Sequence, residues 1–378
     1  MEEVEEIQAS PRILQVAHGR IIPQFVSAYS LRCHSLIKKS KRTLISFAGA
    51  IFKDENLGYS EQYRSLLVTG VSFIRGDRAL EIYISRGRYL RKKYLKRLSE
   101  SVRNSDIIIF EGPWQYPLVK GLIDDKFVVY DAHNVEYSLR EGNRFQEECK
   151  AIEGSLLDRA NIVLAVTNRD MKIFKATYGV GDSKLFFCPH TVNISGIRWK
   201  GPQSNHVVFI GSIFAANNSA LLRIYELAKI FPDFIFDIIG SVKGQRKPKL
   251  KNLVMHGTVE DSVKDEIMSN AFVALNPVTE GSGRNVKMVD YLAHGLPIIS
   301  TPVGTRGFEN FNISEALIAT DINNFGHYLR MLCEDRIKLE SMSDAASKLY
   351  QEIIKAEDKI NPEEIILSAY RSRTKNNK

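Results

Sequence analysis

The residues best suited to chemistry lie in one stretch, Asn276–Gly307, which reads NPVTEGSGRNVKMVDYLAHGLPIISTPVGTRG. An apolar run that ends at Leu275 predicts a strand, and the glycine loop Glu280-Gly281-Ser282-Gly283 follows it. A helix is expected to begin near Asn285 and to stop at His294-Gly295. Backbone N–H groups at the start of a helix, together with the helix dipole, suit a pyrophosphate. The stretch therefore predicts an anion site.

Three charged side chains could add to such a site. Arg284 and Lys287 would bring positive charge to a diphosphate, and Asp290 lies on the same helix face as Lys287. A carboxylate there can accept hydrogen bonds from two adjacent ribose hydroxyls. The spacing alone leaves alternatives open, because glycine turns before helices are common and Asp290 can also be a solvated helix residue. The loop is neither a Walker loop nor a G-x-G-x-x-G fingerprint.

The elements that would position these residues repeat in the two halves of the chain. Each half opens with a short apolar run, 12–17 followed by His18-Gly19 and 207–210 followed by Gly211-Ser212. Alternating strand and helix signals come next, which is typical of a parallel sheet with crossover helices. We expect two doubly wound α/β domains that bind ligands at the carboxyl ends of their strands.

The individual elements follow from the same patterns. Strands are expected at 42–48, 107–110, 127–130, 162–166, 185–188, 234–239, 253–256, 272–275, 297–300 and 316–319. Helices are expected near 24–39, 86–102, 135–160, 168–178, 217–231, 261–270, 285–293, 322–335 and 337–355. The expected domains are an N-terminal domain over 1–195, a C-terminal domain over 206–345 that contains the anion site, and a last segment, 346–378, that would cross back to the first.

The order of motifs resembles retaining GT-B glycosyltransferases, specifically glycosyltransferase family 4, the "group 1" transferases. Many members read G-S-G-x-x-x-K, then an acidic residue three positions on, then L-A-x-G-x-P, and this chain matches from Gly281 to Gly304. Similar stretches are FIGSIFAANNSALL (209–222), FDIIGS (236–241), DIIIFEGPWQYPLV (106–119), VVYDAHNVEYS (128–138), LLDRANIVLAVTNRD (156–170) and CPHTVN (188–193). The resemblance covers about residues 12–310.

The resemblance implies a fold and a reaction. Such enzymes have two Rossmann-like domains that face each other across a cleft. They move a sugar from a nucleotide diphosphate to an acceptor with retention of the anomeric configuration. Protein cations and helix-end amides stabilise the departing diphosphate, so no metal and no cofactor are expected. The sequence also contains no D-x-D, the metal-holding motif of the other main glycosyltransferase fold.

The resemblance also implies roles for individual residues. The catalytic set would be His133, Glu280 and Lys287, with His133 facing the sugar from the first domain. The donor-binding set would be Gly19, Gly211, Ser212, Gly281, Ser282, Gly283, Arg284, Asn285 and Asp290. Taken alone, His133 can also be a core or helix-capping histidine and Gly19 a turn glycine.

The loop departs from the family pattern, which has two glutamates separated by seven residues. The second position is Asp290 here, and the first is Ser282. Glu280 would supply the first carboxylate if the loop were two residues longer. The cation that the family carries in its first C-domain loop is also missing from 212–218, and Arg284 or Lys287 would replace it.

A strongly basic stretch occupies residues 86–98 and includes RGRYLRKKYLKR, in which seven of twelve residues are cationic. Tyr89, Leu90, Tyr94, Leu95 and Leu98 form an apolar stripe at helical spacing. This pattern is typical of a basic amphipathic helix on an anionic membrane surface. A solvated surface helix is the alternative, and no RNA or DNA motif points to nucleic acid.

Composition limits the class of protein. The chain has 378 residues, 44% of them hydrophobic and 25% charged, which excludes a disordered chain, a collagen and a coiled coil. Residues 1–200 carry the whole net charge of +8, so an anionic partner is expected for the first half. The acidic start lacks a secretory signal, and the four cysteines form no C-x-x-C pair. We expect a cytoplasmic protein, peripheral at the inner face of a membrane.

The sequence therefore predicts a metal-independent, retaining glycosyltransferase (EC 2.4). Its donor would be a nucleotide-diphosphate sugar and its acceptor a glycan or a lipid-linked glycan. Two alternatives stay open. One is another GT-B enzyme, such as a sugar-nucleotide epimerase, and the other is a nucleotide-sugar-binding protein without turnover.

Overall fold

The computed structural model describes residues 10–20, 28–48, 59–62, 80–87, 90–189, 194, 198–201, 205–212, 215–241 and 249–376. The chain divides into two compact units. The first consists of Met1–Cys188 with Asn361–Lys378, and the second of Pro189–Ile360.

The first unit is built on a parallel sheet of seven described strands. They are β1 (Ile13–Arg20), β2 (Arg42–Ala48), β3 (Tyr59–Gln62), β4 (Ile107–Phe110), β5 (Phe127–Ala132), β6 (Ile162–Ala165) and β7 (Leu185–Phe187). Their order is β3-β2-β1-β4-β5-β6-β7. The inner strands β4, β5 and β6 are buried along their whole length. That burial explains why their sequences are continuous apolar runs rather than alternating ones.

Helices connect these strands. They are α1 (Ala28–Ser35), α2 (Leu80–Ser85), α3 (Lys92–Arg103), α4 (Tyr116–Val119), α5 (Glu136–Leu139), α6 (Gln146–Arg159) and α7 (Asn168–Tyr178), with 3-10 turns at Pro113–Gln115, Lys120–Leu122 and Asp182–Lys184. The pattern predicted one helix over 135–160, but the structure has two. Gly142 adopts a φ of +73° between them, and the side chain of Asn143 accepts a hydrogen bond from the amide of Phe145 at 2.9 Å.

Two other predictions for this unit are corrected. The helix expected from residue 86 begins at Lys92, after Gly87 takes a φ of +67°. The short strand β3 was not anticipated, because YSEQ has no apolar run. Of the helix expected near 24–39, residues 24–27 lie outside the described residues, and α1 ends at Ser35, four residues before the predicted end.

The second unit is built on a six-stranded parallel sheet, counted over the described residues. Its strands are β8 (His206–Ile210), β9 (Ile235–Ile239), β10 (Leu253–Gly257), β11 (Val273–Asn276), β12 (Ile298–Ser300) and β13 (Leu317–Ala319), in the order β10-β9-β8-β11-β12-β13. Its helices are α8 (Ala215–Ile230), α9 (Asp261–Asn270), α10 (Lys287–Ala293), α11 (Phe325–Glu334) and α12 (Arg336–Glu357), with 3-10 turns at Val303–Thr305 and Ile322–Asn324.

These elements lie close to the predicted ones. Helix α9 has the predicted bounds, and α10 ends where predicted, because Gly295 adopts a φ of +64° just after it. The start of α10 is two residues later than expected, at Lys287. The loop after β11 is therefore longer than the sequence pattern suggested.

The last helix, α13 (Pro362–Asn376), packs against the first unit. The carboxylate of Glu363 accepts hydrogen bonds from the backbone amides of Lys38, Lys39 and Ser40, at 2.7–2.8 Å. Near the other end of the helix, the Arg373 guanidinium donates to the carbonyl of Lys126 at 2.8 Å. These contacts attach α13 to the loop before β2 and to the start of β5.

The strand order reverses once in each unit, between β1 and β4 and between β8 and β11. In an open α/β sheet, the loops after such strands diverge to opposite faces and leave a crevice at the carboxyl edge. Glu111 follows β4 at one reversal. At the other, Gly211 follows β8, and the loop that contains Glu280 follows β11. The fold thus brings the predicted residues to the edges where ligands are usually bound.

Candidate active site

The loop after β11 is a tight turn held by glycines. Gly281 and Gly283 adopt φ values of +121° and +69°, which other residues rarely do. Glu280 and Gly281 are exposed, whereas Gly283 and Asn285 are buried. The loop thus presents its first residues to solvent and anchors its end.

Arg306 holds this loop. Its guanidinium donates to the carbonyls of Gly283 at 3.3 Å, Glu280 at 3.4 Å and Val303 at 2.9 Å. A Cβ on Gly281 would lie 2.9 Å from Arg306 Nη2. The cation next to the glycine loop is therefore Arg306, to which the sequence analysis gave no role. The sequence feature that could have predicted Arg306 is its position in the segment after β12, because the loops that follow adjacent parallel strands lie next to each other.

Lys287, the first residue of α10, links the glycine loop by hydrogen bonds to the segment that follows β8. Its ammonium donates to Asn217 Oδ1 at 2.7 Å and lies 4.5 Å from the centre of the Phe209 ring. Asn217 in turn donates to the carbonyl of Ser212 at 3.1 Å. Burial, and then the nearby charge of Arg306, lower the pKa of Lys287 to about 7. A lysine in this state readily accepts an anion, because an anion restores its charge.

Glu280 contacts α8, the helix that also contains Asn217. Its Oε1 accepts a hydrogen bond from Ser219 Oγ of α8 at 3.2 Å. Glu280 and Lys287, which follow β11, and Ser212, which follows β8, thus all contact α8, through Ser219 or Asn217. Their contact with a donor stays a prediction.

Gly211 is needed for backbone packing. A Cβ on Gly240 would lie 2.1 Å from the carbonyl oxygen of Gly211, so the two backbones touch. A Cβ on Gly211 itself would meet the Phe209 ring at 2.8 Å. The amide of Ile210 just before it donates to the Tyr291 hydroxyl at 2.9 Å. The position of Gly211 is thus fixed by its neighbours, whatever it binds.

Arg284 differs from its prediction. Its side chain is fully buried, its Nη1 lies 2.7 and 2.8 Å from the two carboxylate oxygens of Glu357, and its guanidinium packs 4.6 Å from the Phe308 ring centre. The guanidinium is therefore held in an ion pair with Glu357 of α12, which the prediction did not include. Glu357 is 73 residues away along the chain, so the local spacing gave no sign of this partner.

Asp290 lies on α10, one turn after Lys287. Its Oδ1 accepts a hydrogen bond from Lys264 of α9 at 3.0 Å, and 17% of its side chain is exposed. Burial raises the pKa of Asp290, and the charge of Lys264 opposes that effect. The carboxylate is positioned by a counter-charge while part of it remains accessible. Its predicted contact with ribose hydroxyls stays a prediction.

The predicted residues of the first unit lie at the other strand reversal. His133 follows β5, and its Nε2 lies 2.7 Å from Glu111 Oε2. Gly19 is near the end of β1, where its amide donates to the Tyr29 hydroxyl at 3.3 Å. A Cβ on Gly19 would meet the Tyr29 ring at 2.7 Å, so this glycine is required by its aromatic neighbour. Sequence reasoning missed Glu111, because EGPWQ matches no chemical motif.

Within the part of the chain that the structure describes, one set of metal-type side chains lies close together. The candidate ligand atoms of Cys33, Glu111 and His133 all lie within 4.8 Å of one another. The geometry also fits a hydrogen-bonded carboxylate–imidazole pair, since Glu111 and His133 already contact each other.

The basic stretch is only partly as predicted. Leu90, Tyr94 and Leu98 are buried in the core of the first unit, so this part of the apolar stripe holds the helix to its own unit. Arg88 and Tyr89 lie outside the described residues. What α3 offers to solvent is a row of cations: Arg91, Lys92, Lys93 and Lys96. None of the described helices is long and apolar enough to cross a membrane.

Comparison with known proteins supports the fold. Residues 204–335 match the family model described as Glycosyl transferases group 1. No curated protein matches the chain. Among solved structures, HepE of Anabaena in complex with UDP-glucose has a TM-score of 0.71 at 12% identity, with 95% of this chain and 99% of that chain covered.

Two further solved structures are similar to the chain over most of its length. TarM has a TM-score of 0.68 at 9% identity, with 95% and 98% of the two chains covered. Sucrose-phosphate synthase from Thermosynechococcus elongatus has a TM-score of 0.67 at 11% identity, with 96% and 98% covered. The chain therefore has the GT-B fold of two Rossmann-like domains, and the predicted fold class is confirmed. The second unit also matches the group 1 glycosyltransferases in sequence, over the segment that contains the glycine loop.

The Arg284–Glu357 pair yields a first prediction. Glu357→Gln should destabilise the second unit by about 3–5 kcal/mol, because it leaves a buried guanidinium without its counter-charge. The double variant Arg284→Met/Glu357→Leu should recover most of that loss, since apolar side chains of similar size suit the site. Urea unfolding of the full chain would measure both.

The exposed Glu352 on the same helix provides the control, and Glu352→Gln should stay within about 0.5 kcal/mol of the parent. A Glu357→Gln variant as stable as this control would mean that the pair does not hold α12 to the loop.

Proposed function

We propose that the protein is a glycosyltransferase that moves a sugar from a nucleotide-diphosphate sugar to a glycan or lipid-linked acceptor. The observation that carries the proposal is the meeting of Lys287, Glu280 and the Gly211-Ser212 turn at the carboxyl ends of β8 and β11. These residues lie inside the segment that matches the group 1 transferases. HepE, which shares the fold, was crystallised in complex with UDP and glucose.

The chemistry follows from the charges of the site. Departure of a nucleoside diphosphate leaves negative charge on the phosphate oxygens while positive charge grows at the sugar ring. Lys287 and Arg306 are the cations proposed to hold the diphosphate, together with the amides of Gly281, Ser282 and Gly283. Electrostatic stabilisation of a leaving group by fixed protein charges is an effective form of catalysis and needs no metal. We therefore propose a metal-independent reaction without a cofactor.

Three further residues are proposed to contact the ribose or the sugar of the donor. Asp290 is proposed to accept hydrogen bonds from ribose hydroxyls, and Glu280 to bind the donor sugar. His133 of the first unit is proposed to contact the sugar as well. Retention of the anomeric configuration is proposed from the resemblance of the loop and helix α10 to retaining enzymes.

Turnover of a panel of donors tests the proposal. UDP-, GDP- and ADP-sugars would be incubated with the protein and a mixture of glycan and lipid-linked acceptors, with and without a chelator. We expect one donor to release its nucleoside diphosphate only when acceptor is present, at the same rate with the chelator. A free epimeric sugar nucleotide would indicate an epimerase. Donor that binds without being consumed would indicate a binding protein.

We expect the affinity for the donor to depend on pH because of Lys287. A nucleotide sugar carries a diphosphate diester that does not titrate near neutrality, so Lys287 is the group that changes. Its pKa is about 7 in the free protein, and a bound diphosphate raises that value. The complex therefore binds an extra proton above pH 7. Affinity should fall as pH rises through 7–9, by up to about tenfold per pH unit.

Calorimetry at pH 8 in two buffers of different ionisation heat would measure the proton uptake. Lys287→Arg is the matched control, because its charge is permanent, and its affinity should not vary over this range. Flat affinity of the parent protein from pH 6.5 to 8.5 would remove Lys287 from the diphosphate site.

We also propose that the cationic row on α3 contacts an anionic membrane surface, where a lipid-linked acceptor would lie. Each lysine or arginine near such a surface contributes about 1 kcal/mol. Replacing Arg91, Lys92, Lys93 and Lys96 by Gln should therefore weaken sedimentation with phosphatidylglycerol vesicles by at least a hundredfold, without changing nucleotide affinity.

The matched control replaces Lys338, Lys348, Lys355 and Lys359 by Gln. These four lysines are equally exposed but belong to the second unit. Equal loss of vesicle binding in both variants would show that net charge, rather than this face, attracts the membrane.

A further inference from the structure

The first unit has a network of buried polar groups at its strand reversal that the proposed reaction does not yet use. Glu111 follows β4 and is fully buried, and His133 follows β5. Gln15, on the neighbouring strand β1, is fully buried as well. A buried carboxylate is costly unless its oxygens accept hydrogen bonds, so the partners of Glu111 show what the network is built to hold.

Both oxygens of Glu111 have a defined partner. Oε2 lies 2.7 Å from His133 Nε2, and Oε1 accepts a hydrogen bond from the side-chain amide of Gln15. The same Gln15 nitrogen also donates to the carbonyl of Cys33 at 2.8 Å. An amide nitrogen can only donate. Gln15 therefore makes Oε1 of Glu111 an acceptor and keeps Oε2 aimed at the imidazole.

We infer that Glu111 is a positioning residue that keeps a proton on Nε2 of His133, so that Nδ1 is the acceptor nitrogen of the neutral ring. In the proposed reaction, which this inference extends, Nδ1 would accept a hydrogen bond from a hydroxyl of the sugar. A carboxylate that selects the tautomer of a catalytic histidine acts in this way in other enzymes.

The surrounding charges act in both directions. Burial and the charge of Asp131 raise the pKa of Glu111, and the hydrogen bonds from His133 and Gln15 oppose that effect. Arg32 and Asp131 form a buried ion pair, with Nε and Nη2 of Arg32 at 2.9 and 2.6 Å from the two carboxylate oxygens. Burial opposes the charge of Asp131, but Arg32 outweighs it and lowers the Asp131 pKa. Asp131 Oδ2 lies 3.6 Å from His133 Nε2. Two acceptors thus face Nε2, and both favour a proton there.

The His133 ring is also contacted on its face, and the backbone that follows His133 is held by hydrogen bonds. The Tyr29 ring lies 4.7 Å from the His133 ring, at an interplanar angle of 34°. After His133, the carboxylate of Glu153 accepts hydrogen bonds from the amides of Glu136 and Tyr137 at 2.9 and 3.2 Å. The chain at His133 is therefore fixed by other groups. The specific contribution of Glu111 is to the orientation and tautomer of the ring.

Glu111→Gln tests this inference because the hydrogen bond from Gln15 fixes the orientation of the introduced side-chain amide. The introduced carbonyl must accept from Gln15, which turns the introduced NH₂ group toward His133 Nε2. Two donors then face each other, and the ring must move its proton to Nδ1. Spectra of the full chain labelled with ¹⁵N-histidine, assigned with His133→Gln, should show the proton on Nε2 in the parent protein and on Nδ1 in Glu111→Gln.

Kinetics supply the second measurement. We expect kcat to fall by about 10²–10⁴-fold in Glu111→Gln, as for other histidines held in the wrong tautomer, with unchanged affinity for the nucleotide. The double variant Glu111→Gln/Gln15→Met is the rescue. Without Gln15 as a donor, the introduced carbonyl can turn to Nε2, so the Nε2–H tautomer should return and part of kcat with it.

Glu147→Gln, at an exposed carboxylate of the same unit, is the matched control and should change neither tautomer nor kcat. Cys33→Ala tests instead for a metal ion, because the Cys33 thiol lies among the candidate ligand atoms and interacts with Glu111. A stoichiometric metal ion in the parent protein that is lost in Cys33→Ala would overturn the inference, and so would an Nδ1–H tautomer in the parent or an unchanged tautomer in Glu111→Gln. The spectra do not depend on turnover. A parent protein that consumes no donor would therefore refute the proposed function and leave the tautomer result standing.

Discussion

The reversal of strand order within each parallel sheet is the constraint on which the rest of the structure depends. Between β1 and β4, and again between β8 and β11, the connections leave in opposite directions, which leaves a crevice at the carboxyl edge of the sheet. Side chains that follow these strands and their neighbours β5 and β12 complete the edge. In the second unit they are Lys287, Glu280 and Arg306, and in the first they are His133 and Glu111.

The buried cations of the protein have two kinds of surroundings, and the difference indicates where a ligand would bind. Arg32 is paired with Asp131, and Arg284 with Glu357, so both guanidiniums have a counter-charge within the protein. Lys287 instead meets an amide oxygen, an aromatic ring and the field of Arg306. A charged ammonium in such a place is unfavourable until an anion arrives. A diphosphate supplies that anion, which connects the electrostatics of this unit to its proposed substrate.

Local patterns predicted much of this arrangement. The glycine loop, the helix that follows it and the stop at Gly295 come from residues within about twenty positions of one another, and the structure has all three. The partners of Arg284 and Asp290 could not be predicted in this way, because Glu357 and Lys264 lie on other helices. Burial of Leu90, Tyr94 and Leu98 in the core likewise depends on what α3 packs against, which its own amphipathic pattern does not specify.

A thermal-shift panel of UDP, GDP and ADP and their sugars tests the central claim, that the loop after β11 and helix α10 bind a nucleotide donor. A ligand at about 100 times its Kd stabilises a protein by about 2.7 kcal/mol, enough to raise the Tm by several degrees. We expect such a shift with one base, and we expect Asp290→Ala to lose it when each protein is compared with its own ligand-free state. No shift with any of the nucleotides would contradict the account.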